Sequence, residues 1–178
     1  MMKRFFTPPH ELTIPDATPL IFLEGPVQGA PDWQSFVAMQ LLARRTDVAV
    51  ASPRRTSEDQ KQFNNVEQVS WEQIYIKRAR ESGAVGIWWA AQDLEDTSYP
   101  SRRAYAQTTR VEFGDAVASK RSHPKLPLVV GYDQAYTSSG GGSESYVRLV
   151  LQLEKFNPPH NSIETFIEAL SEETPRHS

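Results

Sequence analysis

The chain has 178 residues and no cysteine. Disulfides, thiolate nucleophiles and cysteine-ligated zinc are excluded, and the sequence suits a reducing compartment without requiring one. Histidine is scarce: the four are His10, His123, His160 and His177. None has a histidine partner at ligand spacing, so the sequence points to no metal site. Basic residues never run beyond two in succession, and the net charge is −3. That leaves no electrostatic footprint for a nucleic-acid polymer. Long apolar runs are also missing. The longest, Leu20–Leu23 and Ala84–Ala91, fall far short of a membrane span. The first nine residues hold too few apolar side chains for a signal peptide. A soluble, cytoplasmic protein without a membrane partner is expected. No internal repeat is visible. The glycine-rich loop after the first apolar run is not GxGxxG, so no dinucleotide fingerprint is supported and no cofactor is expected.

What is present is ordinary for a folded domain: 39% hydrophobic and 23% charged residues, in a chain long enough to bury a sizeable core. Residues 1–18 hold three prolines and read as an extended arm with a short edge strand near Glu11 to Ile14. Residues 19–172 read as a single α/β domain, and 173–178 as a fraying tail. Within the domain, short continuous apolar runs alternate with stretches of helical spacing. Leu20–Leu23, Val48–Ala51, Ala84–Ala90 and Leu126–Gly131 suit buried parallel strands. Helices are expected at about 33–45, 66–81, 110–120, 144–156 and 162–172, with Val111, Ala116 and Val117 on the buried face of the third. Residues 54–65 are polar and read as a mobile loop. Gly140–Gly142 lie in a flexible loop able to cradle an anion or to serve as a linker. The alternation predicts one parallel sheet of four to five strands with helices on both faces. Ligands in such folds sit outside the carboxyl ends of the strands.

Three segments should meet there. The loop Glu24 to Trp33 leaves the first strand, with Asp32 as a helix N-cap. The polar loop after the third strand carries Asp93, Glu95 and Asp96, from which a general acid can come. The stretch Thr108-Thr109-Arg110-Val111-Glu112-Phe113-Gly114 opens a helix and places Glu112 in its first turn. The positive end of a helix keeps a carboxylate ionised, and an ionised, held carboxylate can attack a sugar anomeric carbon. The same Thr109-x-x-Glu112 spacing is that of a capping box. Glu67, Gln68, Trp71 and Glu72 occupy the first turns of the second helix, and face the same crevice if residues 54–65 fold over it.

Three pieces in this order resemble the nucleoside 2-deoxyribosyltransferase-like family. They are Ile21-Phe22-Leu23-Glu24-Gly25-Pro26 with Pro31-Asp32-Trp33, then Gln68-x-x-Trp71-Glu72 ahead of Ile87-Trp88-Trp89, then Thr108 to Gly114 followed by Leu128-Val129-Val130-Gly131. The resemblance implies a flavodoxin-like three-layer α/β fold. It also implies cleavage of a nucleoside or nucleotide N-glycosidic bond through a covalent sugar–enzyme intermediate, by transfer or by hydrolysis. The family nucleophile falls on Glu112. The contacts to base and sugar fall on Gly25, Pro26, Asp32 and Trp33; Trp71, Glu72, Thr108 and Thr109 complete the candidate substrate site. The family's base-holding acids have no residue-by-residue match, which leaves Asp93, Asp96 and Glu72 as candidates. A homo-oligomer is implied by the resemblance alone. Two other functions use the same crevice: a nucleotide-binding module without turnover, and cleavage of NAD by the same nucleophile.

Overall fold

The computed structural model describes residues 4–95, 104–136 and 143–176. Five strands form one sheet: β1 (Phe5–Phe6), β2 (Leu20–Glu24), β3 (Ala49–Ala51), β4 (Ala84–Trp89) and β5 (Leu128–Tyr132). The spatial order is β1-β3-β2-β4-β5, and each neighbouring pair is parallel. Every residue of β2 to β5 is buried. Both sheet faces are covered, so the strands are continuous apolar runs rather than alternating ones.

Five α-helices cover the sheet: α1 (Trp33–Arg44), α2 (Asn65–Ser82), α3 (Gln107–Ser122), α4 (Ser143–Leu153) and α5 (Ile163–Glu173). Ring contacts identify the faces. Phe22 packs on Trp71 of α2 and Trp89 on Phe113 of α3, whereas Trp88 packs on Phe166 of α5. Trp33 of α1 also meets Phe166. α2 and α3 therefore share one face, and α1 and α5 the other. This is the flavodoxin-like three-layer arrangement, with β1 added at the edge. Among the described residues, no helix is long and apolar enough to cross a membrane.

Three sequence expectations change. The edge strand is Phe5–Phe6, paired with Val50 and Ala51, not Glu11 to Ile14. The Leu12 N–H goes to the Tyr75 hydroxyl instead of a ladder. Helix α3 begins at Gln107, three residues before Arg110, because its N-cap is Ala106 in the left-handed conformation, with no capping side chain. Val111 is 73% exposed. The buried stripe is Thr109, Phe113, Ala116 and Val117, spaced i, i+4, i+7, i+8, and Val111 lies off it. Gly140–Gly142 lie outside the described residues.

Candidate active site

Chain order reverses between β2 and β4: the segment after β2 crosses to the α1 face, the one after β4 to the α3 face. A crevice at such a switch point is the expected ligand position. A cavity of about 390 Å³ lies there, within the range of small-molecule sites. Its walls come from the loop after β2 (Gly25–Gln28), the segment after β3 (Pro53, Arg55, Gln60, Phe63), the start of α2 (Asn65, Gln68, Glu72) and the start of α3 (Ala106–Thr108, Glu112).

The first wall is built to stay in place. Gly25 has φ +145°, and a Cβ there would come within 2.3 Å of the Trp88 carbonyl oxygen. Only glycine permits that turn and approach. Arg54 then pins the loop: its Nη2 donates to the carbonyls of Val27, Ala30 and Pro31, and its Nε to Gln34 Oε1. Asp32 caps α1 by accepting the Ser35 N–H and also pairs with Arg54. Trp33, buried, donates from Nε1 to the Pro26 carbonyl.

The second wall centres on Arg55. Its Nε donates to Gln68 Oε1 and its Nη2 to Glu67, and the guanidinium lies over the Phe63 ring. Gln68 in turn donates to the Pro53 carbonyl and, at 2.7 Å, to Glu72 Oε1. The segment expected to be mobile is thus held by two arginines and does fold over the crevice, bringing Gln68 and Glu72 to the cavity. Trp71 turns away: it is buried between Phe22 and Tyr75 and donates to the His10 carbonyl.

Glu112 reaches the cavity from the second turn of α3, since the helix starts at Gln107. No capping box forms. The expectation of an ionised carboxylate does not hold either. Burial, then the charge of Glu72, push the Glu112 carboxyl from 4.5 up to about 8, against a smaller opposing effect from the Thr109 hydroxyl. Thr109 is close, but its Oγ1 and Glu112 Oε2 make no hydrogen bond of sound geometry. Two turns of helix dilute the dipole's field, and desolvation outweighs what remains. Burial also raises Glu72, opposed by the Gln68 hydrogen bond.

Of the sequence candidates, Glu112, Glu72, Gly25, Pro26 and Thr108 line the cavity. Asp32 and Trp33 support its walls through Arg54 and the Pro26 carbonyl, while Trp71 and Thr109 are buried behind them and do not line it. Asp93 is exposed, and its carboxylate accepts the Glu95 N–H; Asp96 lies outside the described residues. Sequence reasoning missed Arg55, although its hydrogen-bond partner Gln68 sits one helical turn before Glu72. It also missed Glu24. That residue ends β2, is 1% exposed, and neither carboxyl oxygen has a hydrogen-bond partner among the described residues. Burial first, then the charge of Glu112, raise its pKa well above the ordinary value. No family model matches the chain, and no curated protein matches it in sequence.

Proposed function

We propose that the cavity cleaves the N-glycosidic bond of a nucleoside or nucleotide, with Glu112 as nucleophile and Glu72 as the acid on the base side. The observation that carries this reading is the Glu112 carboxyl, bordering with Glu72 the same cavity, its Oε2 without a hydrogen-bond partner among the described residues. Glu112 Oε attacks C1′ as the C1′–N bond breaks, and the proton of the Glu72 carboxylic acid passes to the departing base. Water or a second base then attacks C1′ and gives its proton to the Glu72 carboxylate, the ester bond breaks, and Glu112 returns as a carboxylate. Water as acceptor makes a hydrolase, a free base a transferase. Glu72 is preferred to Asp93 as acid because Asp93 faces solvent and is held by its own loop. The ordered resemblance to the nucleoside 2-deoxyribosyltransferase-like family supports the same chemistry, and with it a homo-oligomer.

Base release from a panel of ribo- and deoxynucleosides, their monophosphates and NAD tests the reading. Wild-type protein is expected to release base from at least one, and to leave a sugar adduct by mass spectrometry on the peptide containing Glu112. Glu112→Gln is expected to cut release by about 10³-fold or more. Because Glu112 must be a carboxylate and Glu72 a carboxylic acid, kcat/KM should rise with pH as Glu112 ionises and fall again as Glu72 loses its proton, a bell and not a plateau. Undiminished release by Glu112→Gln refutes the assignment. One observation favours a second reading: with its pKa near 8, Glu112 is mostly neutral at pH 7, which suits binding without turnover. Thermal stabilisation by a panel member with no base released would select that reading.

A further inference from the structure

Glu24 is buried one residue before Gly25 of the cavity wall, and the place of its side chain follows from the sheet. Phe22 faces Trp71 of α2, and side chains alternate along a strand. Glu24, two residues on, therefore enters the same layer, between the sheet and helices α2 and α3. It lies in register with Ile87 of β4, whose face also carries Trp89 and its contact with Phe113, the residue after Glu112. From α2 the charged groups acting on this site are Glu72 and Arg80; from α3 they are Glu112 and Asp115. Arg80 Nη2 pairs with Asp115 at 2.6 Å, its buried Nε has no hydrogen-bond partner, and among the described residues it makes no ion pair with Glu24. The Thr109 hydroxyl, also from α3, is buried and without a hydrogen bond.

We propose that Glu24 acts as a positioning residue: it stays a neutral carboxylic acid and donates its O–H to the Glu112 carboxylate. Two carboxyls in one buried site cannot both ionise at moderate pH. Glu112 borders the cavity and Glu24 does not, so Glu112 ionises first. Once it does, its Oε2 needs a donor and the Glu24 O–H needs an acceptor, and each supplies the other. A hydrogen bond from a neutral acid to a carboxylate is stronger than one between neutral groups. The contact thus favours the charged form of Glu112 without transferring a proton. In the reaction of the preceding subsection, on which only this consequence rests, it weakens when Glu112 becomes an ester. It is regained when the ester breaks.

The test is a carboxyl ¹³C NMR titration of the full chain labelled at glutamate, with the Glu112 signal assigned from Glu112→Gln. Glu24→Met removes the donor in a similar volume; Glu24→Gln keeps a donor in its amide. Glu24→Met is expected to raise the Glu112 midpoint by about one pH unit, a tenfold loss of carboxylate at neutral pH. Glu24→Gln should stay near wild type. An unchanged midpoint in Glu24→Met, a lowered one, or equal movement in both variants overturns the proposal. A second measurement needs neither substitution to fold. In wild type, the carboxylic-acid C=O stretch remaining after Glu112 ionises should move to lower frequency as that ionisation proceeds; a stationary band overturns the proposal. Neither readout depends on turnover, so absence of base release counts against the catalytic reading alone.

Discussion

At the amino end of the sheet, Arg45 is 4% exposed, and its guanidinium makes five hydrogen bonds. At the carboxyl end, Glu24 is as deeply buried and makes none. The Arg45 donors reach both oxygens of Asp47 and the carbonyls of Ser171, Thr174 and Pro175, so they tie the end of α1 to the chain after α5. Hydrogen bonds from Arg45 hold the Asp47 carboxyl down to about 2. Burial pushes the Glu112 carboxyl up to about 8. Acids of one chemical type are moved in opposite directions, because at one end arginine donors reach the carboxylate and at the other burial and a neighbouring acid outweigh the groups that favour the charge. The amino end is built for cohesion. The carboxyl end keeps polar groups unsatisfied, as sites of chemistry do.

The two ends should therefore fail at opposite pH. Glu112, raised from 4.5, contributes stability that is present below pH 4.5 and lost as pH climbs through about 8. Asp47, depressed from 3.8, contributes stability that is present above pH 3.8 and lost as pH falls through about 2. The largest expected effect on stability is at the cavity. Glu112→Gln should stabilise the fold by on the order of 4 kcal/mol at pH 8 and by almost nothing at pH 4.5, measured by urea unfolding at the two values. Equal effects at both would mean that Glu112 is not desolvated. Next comes the amino end: Arg45→Ala should cost about 3 kcal/mol at pH 7, from lost donors to three carbonyls and one carboxylate. A loss under about 1 kcal/mol in the same assay would erase the contrast.

Glu72→Gln sharpens the comparison within the cavity. Removing the like charge should lower the Glu112 midpoint, and removing the acid should slow base release about a hundredfold. The rate profile would then begin its rise at lower pH, lose its alkaline fall and level off at a lower rate. The smallest effect is at Gly114, where a Cβ would meet nothing within 4 Å. Gly114→Ala should stabilise α3 by about 0.5–1 kcal/mol. It should leave base release unchanged, because the glycine of the Glu-Phe-Gly step serves no close approach.

Most of the sheet was legible because β2 to β5 are buried on both faces, and continuous apolar runs betray such strands. The edge strand was not, because Phe5–Phe6 is only two residues long and carries no period. The start of α3 was hidden by its N-cap: Ala106 in a left-handed conformation leaves no side-chain signature. Composition also misjudged residues 54–65. It cannot distinguish a solvated arginine from one whose Nε and Nη2 are taken by partners 20 or more residues away, as at Arg54. Glu112 was found from its spacing, but its ionisation was misread, since a local helix-end rule was set against a burial that only tertiary packing creates. Glu24 escaped notice because it closes an apolar run where the chain seems about to enter a loop. Its side chain follows the strand's alternation inward.

Arg54 has a further consequence for how tightly the cavity can hold a guest. A loop that must be ordered on binding costs affinity in lost conformational freedom, about 0.5–1.5 kcal/mol for each side chain immobilised. The segment from Gly25 to Asp32 is already fixed by the Arg54 guanidinium and by the Trp33 indole. Its freedom is given up during folding, so a small molecule with few contacts meets a preformed mould on that side.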